Sequence, residues 1–223
     1  MSDLSTPTDR RSRKRLATKQ AISDAATCLF LERGFDTVTI DEIADAADVG
    51  RMTVFNHFPR KEDMFFDRDD EGREMLRAAL QDRDPQVAPI ETLRLLAHQL
   101  IAEHRPFVEF SALSQRFIET IQASETLKAR ARAIRDELAG VVADALAKSV
   151  GRADDDADAG LAAGLLLATW SLAFLRAHRT YRETRDTEKA NAAFLALVDQ
   201  GTIGVKAALA DTPYVRAGRV PKA

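Results

Sequence analysis

The sequence has little of what usually holds small secreted domains together or builds a catalytic centre. A single cysteine in 223 residues, Cys28, excludes an internal disulfide framework and suits a reducing compartment, so the expected location is cytoplasmic. Cys28 falls near Ala21, Ala25 and Leu29 and reads as a small residue packed near a core. The N-terminal stretch has no apolar core of the signal-peptide kind. Ala159–Leu175 carries no charge, but it is shorter than the about 20 residues a spanning helix needs. Gly160, Gly164, Thr169 and Ser171 dilute it, which favours a helix buried in a helical interface over a membrane. Of the four histidines, His57, His98, His104 and His178, none has Glu three residues before it. His98 and His104 are too far apart in register to share a helix face. HExxH, GxSxG and GxxxxGK are all absent, and Gly201–Lys206 has Gly and Lys at the wrong spacing for the last of these. The aspartates of Asp154–Asp158 lack calcium-loop spacing and suit a helix N-terminus. No catalytic site, metal or cofactor is therefore expected.

What is present is helical. Ala and Leu are abundant, β-branched runs are scarce, and the Gly and Pro residues sit mostly between periodic segments. The formal net charge of −3 is uninformative, because a nucleic-acid reader needs only a local basic patch. The densest local signal is Thr37–Met64, TVTIDEIADAADVGRMTVFNHFPRKEDM. Thr39 and Glu42 have capping-box spacing, and Ile40, Ile43, Ala44 and Ala47 recur at helical period. Asp48-Val49-Gly50 interrupts, with Gly50 as the residue suited to the turn. A second short helix follows from about Arg51 to Phe58 and stops at Pro59. Two short helices around such a turn make either an αα-hairpin or a helix-turn-helix, whose second helix can enter a DNA major groove. Val54 and Phe58 lie four apart and should face inward, leaving Arg51, Met52, Thr53, Phe55, Asn56 and His57 outside. Arg51 can bond a guanine edge and Asn56 an adenine edge, and Met52 and Thr53 can meet a thymine methyl. Lys61 and Thr39, each at a helix start, suit phosphate. Arg10, Arg11, Arg13, Lys14, Arg15 and Lys19 concentrate positive charge ahead of this motif, which favours phosphate contacts over a plain solvated run.

From about Arg13 to Met64 the chain resembles the DNA-binding end of the tetracycline-repressor (TetR) family. Gly34-Phe35, Ile43-Ala44, Val49, Thr53, His57-Phe58 and Lys61-Glu62 carry the likeness, and TVFNHFPRKEDMF is its most specific part. Phe55 departs from the family's usual Tyr, removing a hydroxyl that would meet phosphate, and Asp48 departs from a usual Gly. The resemblance implies that Arg51, Met52, Thr53, Phe55, Asn56, His57 and Lys61 face DNA, with the N-terminal basic arm able to reach the minor groove. It also implies a helical body that binds a small molecule and dimerises through two C-terminal helices.

The expected organisation is all-α: a disordered arm at 1–12, a three-helix helix-turn-helix domain at 13–62, a ligand-binding and dimerisation domain at 63–210, and a loose tail at 211–223, with about nine helices in total. A first helix should run over Lys14–Arg33 with Gly34 as its cap. A single helix over Lys61–Gln81 should be a solvated connector between head and body, and the family resemblance implies that it relays movement between them. Ser124 should cap a helix carrying Leu127, Ala131, Ile134, Leu138, Val141 and Ala145, which Gly151 ends. Two long helices, Asp156–Tyr181 and Thr187–Ala210, close the body. Gly160, Gly164 and Ala168 keep one face of the first small enough for close helix approach. Phe107, Phe110, Phe117, Trp170 and Phe174 are candidate walls of an effector pocket, with His98 and His104 as polar contacts. Residues 116–151 faintly resemble regulators with an acyl-CoA-like ligand-binding domain, so the effector is expected to be apolar or acyl-type. The function expected from all this is a homodimeric repressor that leaves a double-stranded DNA operator on binding its effector. An activator of the same family and an all-α enzyme are the alternatives.

Overall fold

A computed structural model of the chain describes residues 7–218, and every regular element among them is helical. The α-helices are α1 (Pro7–Arg33), α2 (Ile40–Ala46), α3 (Arg51–His57), α4 (Lys61–Phe65), α5 (Asp69–Gln81), α6 (Pro89–Ala102), α7 (Ala112–Ala123), α8 (Glu125–Ser149), α9 (Ala157–Thr184) and α10 (Thr187–Ala208). Two single-turn 3-10 segments, Pro106–Val108 and Pro213–Val215, complete the set. The described residues form two compact units. One runs to Arg68 and takes in residues 116–130; the other comprises residues 69–115 and everything from Ala131 on.

The first unit is built on α1. Ile22, Ala26 and Phe30 recur on one face and are fully buried, against Phe35, Val38, Ile43, Val54, Phe58 and Phe65. Gly34 closes α1 at φ +86, a conformation that costs a side-chain-bearing residue energy. The capping box of α2 is formed: the Thr39 hydroxyl accepts from the Glu42 amide, and the Glu42 carboxylate accepts from the Thr39 amide at 2.8 Å. Ser124 caps α8 and donates to Asp36 at 2.9 Å. Phe117 and Leu127 pack into this same core, so two segments distant in sequence finish it.

Several expectations need correction. Helix α1 begins at Pro7, so residues 7–12 are helical and not an arm; residues 1–6 lie outside the described residues. The connector expected over Lys61–Gln81 is two helices, broken at Phe66–Arg68. Phe66 turns its ring against Phe65 and Phe117, with centroids 5.7 and 6.2 Å away, and Asp67 accepts from the buried Ser23 hydroxyl at 2.6 Å. Asp69, Asp70 and Glu71 then start a new helix, where its dipole favours them. In the turn before α3, Asp48 takes the left-handed conformation at φ 52, whereas Gly50 is an extended N-cap. Cys28 is exposed and donates to Glu32 at 3.4 Å, an acid that pushes its thiol pKa up and makes it a poor redox sensor.

In the second unit α9 and α10 lie side by side, with a close approach at Gly201. A Cβ there would fall 2.2 Å from Thr169 Cγ2. Leu80, Ile90, Leu146, Ala162, Ala163 and Leu166 form one apolar cluster of this unit, and Phe110, Ala173, Ala177, Phe194 and Val198 belong to another. Asp156 caps α9 by accepting from the Ala159 amide at 2.9 Å, and it also accepts from the Tyr214 hydroxyl at 2.9 Å. Tyr214 is fully buried, so the expected loose tail is anchored as far as Gly218, whose amide donates to Pro85 at 2.9 Å. Residues 219–223 lie outside the described residues.

The outer face of α9 is apolar and uncovered. Leu161, Leu165, Leu172 and Leu175 are 49, 37, 60 and 51% exposed, alternating four and three apart with Ala168 between them. A Cβ added at Gly160 or Gly164 would meet nothing within 4 Å, so among the described residues nothing packs against these two positions. By length and composition α9 could cross a membrane. Its exposure is nonetheless one-sided, with Ala159, Ala162, Ala163, Leu166 and Ala173 buried.

Candidate nucleic-acid interface

Helix α3 divides as its spacing predicts. Val54 and Phe58 are buried, at 0 and 3% exposure, and Arg51, Met52, Phe55 and Asn56 face outward. Thr53 and His57 are half-buried at the margins. The outward face is pre-arranged by two contacts that periodicity does not announce. Arg51 Nη1 donates to both carboxylate oxygens of Asp41 on α2, at 3.1 and 2.9 Å. Its guanidinium also lies 5.6 Å from the centre of the Phe55 ring, one helical turn on. Phe55 thus supports Arg51 as a platform, a role that needs no hydroxyl. Asp41 engages Nη1 alone, which leaves the Nε–Nη2 edge of the fork for a two-point contact.

Basic residues of α1 come up beside this face. Arg13, Lys14 and Arg15 are exposed. The Lys19 ammonium sits 5.5 Å over the Phe58 ring. Burial, then the charges of Arg15 and Lys19, hold the His57 imidazole below its ordinary pKa, so His57 is neutral at pH 7. Arg15, Lys19 and His57 therefore share one neighbourhood. Lys61 stands apart from this group. Its ammonium donates to the Phe35 carbonyl and lies 4.3 and 5.4 Å from the Phe35 and Phe30 rings, and burial lowers its pKa. Lys61 ties α4 to the end of α1, and at five residues α4 is too short to offer a developed N-terminal anion site.

The expected pocket residues are brought together only in part. Phe110, Phe174, Phe194 and Trp170 do form a ring cluster, with Phe110 5.8 Å from both Phe174 and Phe194, and Trp170 6.2 Å from Phe194. Phe117 belongs to the first unit, stacked on Phe65 at 4.0 Å with the planes 5° apart. His98 is held by Asp199 at 2.8 Å and Arg94 at 3.2 Å. His104 is exposed just past α6 at φ 51, and Phe107 is half-buried beside Gly72. A cavity of about 950 Å³ opens elsewhere in the second unit, lined by Arg77, Arg83, Val141, Ala145 and Lys148, and it contains none of those residues. The sequence did not mark His178 as part of the ring cluster, where it is buried. The available signal was a histidine at the end of an uncharged helical run. Among the described residues no group of three or more His, Cys, Asp or Glu is placed to hold a metal.

A short capped helix, a left-handed turn and a second helix with a polar outer face over a buried inner one, flanked by basic residues, define a helix-turn-helix DNA-binding head. Residues 22–67 match the family described as bacterial regulatory proteins, tetR family. The HTH-type transcriptional regulator YdeS of Bacillus subtilis is 42% identical over 50 residues, 22% of this chain and 25% of its own length. A mycofactocin biosynthesis regulator, MftR of Mycobacterium tuberculosis, is 42% identical over 52 residues, 23% of this chain and 26% of its own. The chain thus spans about a quarter of the length of the curated relatives it matches. Solved structures align over nearly the whole chain and share its fold. A tetR-family regulator from Mesorhizobium loti has a TM-score of 0.56 at 19% identity, covering 87% of this chain and 97% of its own. NalD, a repressor of a multidrug efflux pump in Pseudomonas aeruginosa, also has a TM-score of 0.56, at 21% identity over 84 and 96% of the two chains. The matched segment is the regulatory-protein head that these relatives share.

Proposed function

We propose that the protein is a homodimeric transcriptional repressor, acting in the cytoplasm, that leaves a roughly palindromic DNA operator when a small apolar effector binds its body. The observation that carries the reading is α3: Arg51 and Asn56 exposed over buried Val54 and Phe58, with Arg15, Lys19 and His57 alongside. In this reading Arg51 and Asn56 contact base edges, and Met52 and Thr53 contact thymine methyls. Thr39, His57, Arg13, Lys14 and Arg15 meet phosphate and set register without reading sequence. Phe55 and Asp41 hold Arg51 in place, and Lys61 positions α4 where the family resemblance has it on phosphate. The acyl-type effector rests only on the faint likeness of residues 116–151.

The exposed stripe Leu161, Leu165, Ala168, Leu172 and Leu175 supports dimerisation. Alternating four-three spacing is the pattern of helices that pack along their length, and Gly160 and Gly164 leave room for a second backbone. A two-fold dimer would set its recognition helices one duplex turn apart, about 34–36 Å. A ligand that favours a non-binding arrangement must then lower DNA affinity by linkage. The test is a mobility-shift assay on the promoter region next to the gene, with Arg51→Ala and Asn56→Ala beside the native protein. A specific complex that both substitutions weaken is expected. No specific complex in the absence of effector would contradict the reading.

A further inference from the structure

Within the second unit, the His178 side chain is 3% exposed, and neither of its ring nitrogens has a hydrogen-bond partner among the described residues. Its neighbours are ring edges: the Phe174 centroid lies 4.5 Å away and that of Phe110 5.1 Å, each close to perpendicular. Phe194 and Trp170 continue the cluster. A buried imidazole that bonds to nothing is a cost the fold bears, since water would have satisfied both nitrogens in the unfolded chain. A purely structural core would hold another phenylalanine at this position. Phe110 sits outside any helix, between the Pro106–Val108 turn and α7, with its carbonyl accepting from the Thr187 hydroxyl at 2.9 Å. The ring that covers His178 on this side is thus carried by a connecting segment, which can shift without breaking helical hydrogen bonds.

We propose that His178 is the polar anchor of an effector site within this ring cluster, and that the ligand is a neutral, planar apolar molecule carrying a hydroxyl group, of the alkylphenol kind. The inference rests on the reading of the body as effector-binding and goes further by naming the residue and the ligand class. The rings supply flat apolar surface for an aromatic body. A hydroxyl can accept from the imidazole N–H or donate to its other nitrogen, so it suits either tautomer. A carboxylate would enter a cluster of apolar side chains, and losing its water there is costly. Ligand entry parts Phe110 from Phe174 and ends the imidazole's isolation.

The chain has one tryptophan, Trp170, in the same cluster, and its fluorescence reports occupancy directly. The full-length protein is titrated with 4-butylphenol, butylbenzene and 4-butylbenzoate. The expected result is that the phenol binds about tenfold more tightly than butylbenzene, as one good hydrogen bond allows, and that the benzoate binds worst. His178→Phe should erase the preference for the phenol while still binding both neutral probes, and His178→Gln, which keeps a neutral donor and acceptor, should retain part of it. Equal affinity for phenol and butylbenzene, tightest binding of the benzoate, no Trp170 response to any probe, or an unchanged preference in His178→Phe would each overturn the assignment. Operator binding is measured on the same samples. Intact DNA binding alongside any of those results would sink this site and leave the regulator standing, whereas loss of DNA binding in the native protein would sink the regulator.

Discussion

The outer faces of α3 and α9 are both exposed, and they are opposites. On α3, Arg51 and Asn56 are exposed beside Phe55, and Asp41 engages only the Nη1 of Arg51. On α9, Leu161, Leu165, Leu172 and Leu175 project from a helix whose Ala159–Leu175 stretch holds no charge. The first surface suits a polyanion whose counterions are released on binding. The second gains only by removing apolar area from water, and its self-complementary spacing suits another copy of the same helix. Two exposed surfaces on one chain therefore call for two kinds of partner, and the difference lies in what each face leaves unmet.

The comparison is broken most severely by charging the apolar face. Leu165→Asp with Leu172→Asp should convert the protein to monomer in sedimentation and cut operator affinity by about a hundredfold or more, because two half-sites no longer act together. A protein that stays dimeric would place the interface elsewhere. Salt separates the surfaces without mutation. Raising it from about 50 to 200 mM should weaken operator binding by about a thousandfold and leave the sedimentation of the dimer almost unchanged. Equal sensitivity of both would erase the distinction drawn here.

Acid tests the buried cluster beneath the apolar helix. Burial holds the His178 pKa at about 4, below its ordinary 6.5. The unfolded chain therefore takes up the proton first as pH falls. Stability is full above about pH 6.5 and declines down to about pH 4, by roughly 3 kcal/mol at the acid end. His57, also depressed, adds to the slope in the same direction. Urea midpoints across that window should flatten in His178→Phe relative to the native protein, and an unchanged slope would show that His178 does not carry it.

On the polar face, Arg51→Ala should cost about 1–3 kcal/mol of operator affinity and relax selectivity at one position per half-site. A uniform loss across sequences would make Arg51 a phosphate contact. The smallest effect belongs to the turn before α3. Asp48→Gly should stabilise the protein by up to about 1 kcal/mol, because Asp48 holds a left-handed φ of 52 that glycine adopts without strain. A lower melting temperature would mean that the aspartate side chain itself supports the turn.

Much of the head was legible because its signals are local. The Thr39–Glu42 capping box, Gly34 as cap, and Val54 and Phe58 as the inner face each follow from residues within one or two turns. What the sequence concealed depends on contacts across the chain. Nothing near Phe66 announces that Phe117 will draw its ring aside and break the connector. Lys61 looked like a phosphate contact until the Phe35 carbonyl and ring claimed its ammonium. Tyr214 sits amid loop residues, yet it is buried with its hydroxyl on Asp156. In the body, composition picked out Phe110, Trp170 and Phe174, which share a ring cluster, but it could not separate Phe117 from them or mark His178, because both distinctions are settled by which helix faces which.

The central claim, that α3 reads duplex DNA in a two-fold arrangement, is tested most directly by selecting bound duplexes from a random library with the native protein and with Arg51→Ala/Asn56→Ala. The account predicts enrichment of a palindrome whose half-site centres lie about 10 base pairs apart or a multiple of that, lost or redirected in the double variant. Enrichment of nothing, or of the same site by both proteins, would contradict it.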